Sequence, residues 1–434
     1  MNTHILSIIV LFFFSTINAV ASSFSCLGNP LSMNLLPKCE ESDGLVFNSN
    51  DHPTRTVMMT CPRRNKQCFD AAKTIALQGN GAEVIILQVD EKNQSIQFEQ
   101  LDEKLSQLTL PGRGYFSSSP KFSRDVGIFA NQGGVPTFLH LPYIEKSLGA
   151  TSSTVFEEVS RFCGFKNVRS YATLQEVLEK VSSLRTEEKF KDQSDYALRQ
   201  ETDVFFSLRA FAKKEEVPGS MGGNFLKIPG SALLVGHSRR SQLSSLVRKK
   251  FEEQSKIVEI ELPSNLSVGH IDEVFNILPS ISAYKGQCPF TMLVASPQEP
   301  LVLAKKLQII NDTDVQTAQA NELLIEESLS HIKHIIKKDL NCEPNVVRLP
   351  TFFALQKYNY KFNPINGLYV NGTYFFAHPL FFMNENNPSA YFIEQVQNRL
   401  QKIGINSMPL KTAYLDMFGG SIHCGTLEIR SHCR

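Results

Sequence analysis

The run Gly367-Leu368-Tyr369-Val370-Asn371-Gly372-Thr373-Tyr374-Phe375-Phe376-Ala377 sets two short apolar segments around an Asn-Gly pair. Asn and Gly accept the positive φ that a two-residue hairpin loop demands, so the run predicts an antiparallel strand pair. Further on, residues 390–403 carry helical periodicity and lead into Ser407-Met408-Pro409-Leu410, which reads as a third strand. Strand, turn, strand, helix, strand is the unit whose repetition decides the fold class.

The same unit appears upstream. Residues 224–228 and 231–235 flank Pro229-Gly230, a helical stretch follows over 239–254, and Ile257-Val258-Glu259-Ile260-Glu261-Leu262 closes it as a strand. A further hairpin joins 126–130 to 135–141 around Gln132-Gly133-Gly134. Helix-then-strand pairs recur where 61–79 feeds Glu83-Val84-Ile85-Ile86-Leu87-Gln88-Val89 and where 320–340 feeds Val346-Val347-Arg348-Leu349. The repetition implies an α/β protein, either a radial array of units around a channel or an open α/β sheet. Residues 142–216 break the rhythm: rich in Lys, Glu, Ser and Gln, with helical stretches at 153–163 and 173–184, they read as an inserted helical segment. No long Gly/Ser or Pro linker divides the chain, which favours one domain.

At 434 residues and 42% hydrophobic content the chain can bury a sizeable core. Its 44 basic and 43 acidic residues leave a net charge of +1, so no overall field argues for nucleic acid or an anionic membrane. Residues 1–21 run from His4 through the apolar stretch Ile5 to Phe14 to Ala19-Val20-Ala21, the pattern of a secretory signal peptide with an A-x-A-type cleavage site. That apolar stretch is short for a hydrocarbon core of ~30 Å, and no other segment reaches ~18 apolar residues. The mature chain is therefore expected to carry no membrane anchor and to be secreted or held in the secretory lumen. Asn-x-Ser/Thr sequons at Asn93, Asn265, Asn311 and Asn371 are compatible with a glycoprotein. Nine cysteines make an odd count in a compartment where thiols pair, so one is left over. If that one is Cys424, the other eight suffice for four disulfides of undetermined pairing; no C-x2-C spacing suggests zinc.

Cys424 lies between glycines in Phe418-Gly419-Gly420-Ser421-Ile422-His423-Cys424-Gly425-Thr426, read as a buried strand end. A period of two puts His423 on the opposite face, so a base for this cysteine must come from elsewhere. The segment Leu266-Ser267-Val268-Gly269-His270-Ile271-Asp272-Glu273 offers one, with His270 and Asp272 two apart and able to face the same side. A plainer reading makes Asp272 and Glu273 the N-terminal charges of a helix over 274–278. Plainer readings also exist for Asp125, as a turn acid, and for Met221-Gly222-Gly223-Asn224, as a tight turn.

These segments together resemble the catalytic domain of the protein arginine deiminases and, more distantly, the agmatine deiminases and other guanidino-group-modifying enzymes. The resemblance extends to Thr291-Met292-Leu293-Val294-Ala295-Ser296-Pro297 and Asn366-Gly367-Leu368-Tyr369-Val370, and covers residues 218–434 together with about 115–142. It implies a five-bladed α/β propeller, the pentein fold, with the helical insertion at 142–216. The chain then divides into a signal peptide (1–21), a disulfide-bearing N-terminal part of the propeller (22–114) and a deiminase-like catalytic domain (115–434).

By the same resemblance Cys424 is the nucleophile, His270 the general acid and base, and Asp272 and Asp125 the carboxylates that bind the guanidinium, with Gly223 and Asn224 at the substrate. Arg124-Asp125-Val126-Gly127 is similar to the family's W-x-R-D-x-G strand; Asp203 is the competing placement, and Asp125 is preferred because the hairpin after it continues the resemblance. A guanidinium is planar and permanently charged, so two carboxylates can hold its edges while its carbon stays open to a thiolate. The implied partner is an arginine-containing protein or peptide, or a small guanidine. Animal members are calcium-activated, but the corresponding places here hold Arg124, Ile128, Leu226 and Lys227, so no cofactor is expected. No arginine stands near 141–146 to hold a substrate backbone, and the family's N-terminal immunoglobulin-like domains have no counterpart. The alternative from another class is a catalytically silent secreted glycoprotein that uses the propeller for binding or structure. A Cys/His hydrolase of peptide bonds would leave Asp125 and Asp272 without work.

Overall fold

The computed structural model describes residues 45–47, 52–62, 65–90, 95–100, 108–110, 127–132, 135–140, 166–169, 222–238, 243, 245–252, 255–263, 265–266, 268–280, 286–306, 310–353, 362–379, 389–412 and 421–430. Five sheets occur among them. The quoted hairpin is β15 (Leu368–Val370) and β16 (Thr373–Ala377), antiparallel, and β17 (Asn406–Leu410) joins β16 in parallel after helix α5 (Ser389–Lys402). Asn371 takes the left-handed φ of 44° that the turn requires. Its side chain does more than turn the chain. Asn371 Nδ2 donates to Thr54 O at 2.9 Å and Gly79 O at 3.2 Å, and its Oδ1 accepts from Thr54 N at 2.8 Å, tying this hairpin to the neighbouring unit.

Every sheet contains an antiparallel pairing followed by a parallel one, and two of the five carry further antiparallel strands at their edges. In sequence order, β9 (Phe225–Lys227) pairs antiparallel with β10 (Leu233–His237), which pairs in parallel with β11 (Ile257–Glu261) across α2 (Ser245–Glu252). Next, β12 (Phe275–Pro279) pairs with β13 (Gln287–Ser296), and β13 with β14 (Glu343–Pro350), across α3 (Leu301–Lys306) and α4 (Asp312–Leu340). The fourth sheet joins β1 (Leu45–Phe47), β6 (Gly127–Gln132), β7 (Val135–His140) and β8 (Lys166–Arg169). In the fifth, β2 (Thr54–Pro62) and β3 (Glu83–Asp90) are parallel across α1 (Lys66–Gln78), with β4 (Ser95–Gln100) and β5 (Leu108–Leu110) outside them. The C-terminal strand β18 (Thr426–Arg430) completes this sheet by pairing antiparallel with β2. Strands β2–β5 of the N-terminal part (22–114) therefore share a sheet with β18 near the end of the chain, while β1 pairs with β6 in another.

Two expectations change. Strand β8 lies inside 142–216 and runs parallel to β7, so this stretch of the supposed helical insertion belongs to a sheet; residues 153–163 and 173–184 lie outside the described residues. Residues 274–278 are not a helix either: a single 3-10 turn (Ile271–Glu273) is followed directly by β12.

Helix α4 shows why these elements hold. Asn311 and Asp314 form a reciprocal capping box at its start, and Asn341 closes its end in a left-handed conformation. Ile325, Leu329, Ile332 and Ile336 recur at helical spacing and are buried against β11, β13 and β14. Each such side chain contributes roughly 1.5–3 kcal/mol by leaving water. Two disulfides among the described residues add covalent ties: Cys61–Cys68 joins β2 to the start of α1, and Cys288–Cys342 joins β13 to the approach to β14. The second spans 54 residues, for which chain entropy alone gives about 4 kcal/mol. No helix among the described residues is long and apolar enough to cross a membrane.

Candidate active site

Three short segments meet: residues 268–273, the loop 363–367, and a helical turn Ile422–Gly425 directly before β18. The first is shaped by Glu273. Its Oε1 accepts the backbone N–H groups of Val268, Gly269 and His270 at 3.2, 2.7 and 3.1 Å, so one buried carboxylate oxygen folds the loop around itself. Charge-assisted bonds of this kind are about twice as strong as neutral ones. Gly269 sits at φ 91°, a conformation any side chain would strain. The clamp presents His270 and Asp272 inward, at 0% and 1% exposure.

Asn224, in the 3-10 turn just before β9, fixes the same loop from another segment. Its Nδ2 donates to Gly236 O at 2.7 Å and its Oδ1 accepts from Ile271 N at 3.0 Å. The contact that the structure gives this side chain is thus with the loop between His270 and Asp272. Gly223 lies under both catalytic candidates: a Cβ there would stand 2.7 Å from His270 Nδ1 and 3.0 Å from Asp272 Oδ2.

The second segment is a network of amides. Asn363 donates from Nδ2 to Glu273 O at 2.9 Å and accepts on Oδ1 from Ile365 N and Asn366 N at 3.1 and 3.3 Å. Asn276 of β12 donates to Ile365 O and Gly367 O at 3.0 and 3.1 Å. The Tyr374 hydroxyl donates to Ile365 O at 2.8 Å, and burial holds this phenol far above the usual tyrosine range, so it remains a donor. The result is a loop anchored on both sides that aims Asn366 at the cysteine.

Cys424 is 3% exposed and stands as a thiol outside both disulfides. Asn366 Nδ2 donates to its sulfur at 3.3 Å, while Asn366 Oδ1 accepts from Cys424 N at 3.3 Å and Asn366 O from His423 N at 3.2 Å. The thiol donates toward Asp272 Oδ2 at 3.7 Å. That same oxygen meets His423 Nδ1 at 2.7 Å. The sequence expectation for His423 fails on its premise: residues 422–425 form a helical turn, with Thr426 Oγ1 donating back to Ile422 O at 2.9 Å, so strand alternation does not apply. His423 faces Asp272.

Of the residues singled out by sequence, the structure gathers Cys424, Asp272, His270 and Gly223 into one region and places Asn224 immediately behind it. Asp125 and its competitor Asp203 lie outside the described residues, as do Arg124 and Asn93. Sequence reasoning missed the work of Glu273, Asn363 and Asn366. Asn366 was part of a quoted segment, but nothing in an isolated Asn signals that it will meet a sulfur 58 residues away. Lys227, at a position where a calcium ligand would fall by resemblance, donates to Ser231 O and to Ser255 Oγ, the latter at 3.2 Å. Among the described residues no group of three or more His, Cys, Asp or Glu is placed to hold a metal ion.

No family model matches the chain, and no curated protein sequence matches it. Solved structures do. The chain is similar to a candidate arginine deiminase from Porphyromonas gingivalis over 89% of its own length and 98% of that chain, at 12% identity and a TM-score of 0.52. It is similar to the agmatine deiminase of C. jejuni over 90% and 97% of the two chains, at 10% identity and a TM-score of 0.52. The fold is that of the arginine and agmatine deiminases. A candidate peptidyl-arginine deiminase has the same deiminase fold, covering 89% of this chain and 99% of its own at 10% identity, with a TM-score of 0.50. The deiminase fold thus spans nearly the whole of these relatives and most of this chain.

Proposed function

We propose that the protein is a hydrolase of guanidinium groups that releases ammonia and leaves a ureido product through a covalent intermediate on Cys424. The observation that carries this reading is the approach of a buried thiol to the buried carboxylate oxygen Asp272 Oδ2, with His270 beside the same Gly223. A carboxylate so close to a thiol opposes ionisation when the site is empty. An incoming guanidinium reverses this, because its N–H groups pair with Asp272 and its positive charge favours the thiolate beside it.

The sulfur then attacks the guanidinium carbon, a C–S bond forms, and the C–N bond to one amino group breaks. His270 supplies the proton with which that group leaves as ammonia, and afterwards removes a proton from the water that attacks the same carbon. The C–S bond breaks, the thiol is restored, and guanidinium plus water has become urea-type product plus ammonium. Asn366 stabilises charge on the sulfur by its 3.3 Å N–H contact throughout. Asp125 is the second carboxylate in this reading, preferred over Asp203, and the Gly223 backbone lines the substrate position. No calcium is required, since Lys227 carries its own positive charge at a would-be ligand position.

In the same reading the five sheets are the blades of a propeller. The repeated antiparallel-then-parallel pairing, and the pairing of the C-terminal strand with β2, both favour that closure. The chain is a secreted or lumenal glycoprotein whose disulfides suit an oxidising compartment. Its substrate is arginine in a protein or peptide, or a small guanidine. Incubating the purified protein with an arginine-containing peptide, free arginine and agmatine, with and without chelator, tests the proposal. Ureido product and ammonia in equal amounts from at least one of them, insensitive to chelator and abolished in Cys424→Ser, is the expected result. No product from any of them would leave the silent binding module as the better reading.

A further inference from the structure

The reaction as derived leaves the buried histidine next to the nucleophile unused. His423 is 7% exposed, and its two ring nitrogens face two different carboxylates: Nδ1 lies 2.7 Å from Asp272 Oδ2 and Nε2 lies 4.0 Å from Glu428 Oε1. Arg430 Nη2 approaches the same Glu428 oxygen at 3.9 Å. Arg430 is itself pinned, with Nη1 donating to His52 O at 3.0 Å and Nη2 to Tyr369 O at 2.7 Å. Asp272, His423, Glu428 and Arg430 form a line of groups that are all almost excluded from water.

Charge bookkeeping along that line decides the state of the ring. Two carboxylates against one guanidinium leave an excess negative charge where desolvation makes it costly. A proton on the second nitrogen of His423 cancels it. Nδ1 is at hydrogen-bond distance from one carboxylate and Nε2, at 4.0 Å, faces the second across an ion-pair distance, and the positive charge that both carboxylates favour belongs to the imidazolium. The other ionisable groups nearby are Cys424 on the same turn, Tyr374 of β16, whose hydroxyl is a donor, Tyr369 of β15, whose phenol burial holds above its usual range beside Arg430, and His270, which borders Gly223 together with Asp272.

We infer that His423 is a fixed imidazolium bridging Asp272 and Glu428, and that it acts as a positioning residue for the nucleophile. It holds the Asp272 carboxylate in the orientation that meets Cys424, and it offsets at the sulfur the negative charge that this carboxylate brings. Glu428 and Arg430 have no contact with the reacting atoms in this scheme; they keep the proton on His423. The inference rests on the reading of Asp272 and Cys424 as the guanidinium-processing pair, and it can be tested without turnover.

The experiment uses the full chain. The rate of Cys424 alkylation by iodoacetamide is followed against pH by mass spectrometry of the Cys424 peptide, in the wild type, His423→Asn and Glu428→Gln. Losing the imidazolium is expected to move the alkylation midpoint up by one pH unit or more, which at a fixed pH below both midpoints is a loss of about tenfold in rate. A role confined to packing would change the melting temperature and leave the midpoint alone; an unchanged midpoint in a folded His423→Asn protein overturns the inference. If that variant does not fold, the histidine side-chain nitrogens are observed by NMR in the wild type, with the His423 signals identified by their displacement on alkylating Cys424. Both nitrogens protonated at pH 7.5, with earlier loss of the proton in Glu428→Gln, support the inference, and a neutral ring at that pH overturns it. Absence of ureido product from every guanidine would sink the proposed function while leaving both of these readouts to be judged on their own.

Discussion

Gly223→Ala is the substitution on which the site's geometry makes its sharpest demand. The added methyl carbon would stand 2.7 Å from His270 Nδ1 and 3.0 Å from Asp272 Oδ2, whereas ordinary contacts begin near 3.4 Å. Neither neighbour has solvent to retreat into, since both are buried and the loop that carries them is clamped by Glu273 and Asn224. Relieving the clash therefore moves the imidazole and the carboxylate apart by roughly half an ångström or more in a close-packed interior. A misplacement of 1 Å costs about a hundredfold in a positioned reaction, so kcat should fall on the order of ten- to a hundredfold. Overpacking should also cost about 1–3 kcal/mol of stability. The assay is steady-state release of ureido product, with a denaturation curve on the same preparation. Were Gly223 important only for its backbone at the substrate, KM would rise while kcat held. A variant with wild-type kcat and KM would refute the convergence of His270 and Asp272 above this glycine.

Glu273→Gln keeps the acceptor oxygen but not its charge, and should lower stability by about 1–2 kcal/mol; Glu273→Ala strands two buried N–H groups and a half-buried third and should cost about two to three times that, both read from urea midpoints. Equal midpoints for Ala and wild type would contradict the clamp. Asn366→Asp retains an acceptor for Cys424 N but sets a negative charge 3.3 Å from the sulfur, so alkylation of Cys424 near neutral pH should slow by about tenfold or more. An unaltered rate would mean that this contact does not govern the thiolate. Burial holds the Lys227 ammonium below its ordinary value of 10.5, so the unfolded chain keeps its proton to higher pH than the folded one. Wild-type stability should therefore gain from this group as pH rises through the lowered value toward 10.5, and Lys227→Met should lose that gain; parallel stability-pH curves would contradict it.

The hairpins and long helices were legible because their chemistry is local. Asn371-Gly372 and Pro229-Gly230 announce turns, and the helical spacing over 320–340 lies within α4. Short elements are another matter. Four residues between glycines carry no periodicity, so Ile422–Gly425 reads as easily as a strand end as a helical turn, and that ambiguity misplaced His423. Phe275–Pro279 is a five-residue, mostly apolar run, a length at which a buried strand and a helix segment look alike. Strand β8 carries Lys, Asn and Arg and is a strand because β7 pairs with it, which no local propensity encodes. The chemistry-bearing residues Cys424, His270 and Asp272 stood out by type and by their glycine neighbours. Their supports Asn363 and Asn366 did not, because an amide shows its use only once partners from distant segments arrive; Asn224 was singled out for the substrate, whereas its side chain holds Ile271 N and Gly236 O. The deiminase fold agrees with the family resemblance read from the motifs, while the first carboxylate, Asp125 or Asp203, rests on that resemblance alone.

The central claim is a bond between Cys424 and a guanidinium carbon, and an acid quench during turnover tests it most directly. The protein is mixed with whichever guanidine gives product, stopped within the first turnovers, digested and weighed by mass spectrometry. The account predicts that the Cys424 peptide gains the mass of the substrate less one ammonia, that the adduct disappears as substrate is exhausted, and that His270→Ala prolongs it. Steady release of ureido product with Cys424 never modified, or an adduct carried by any other residue, would contradict it.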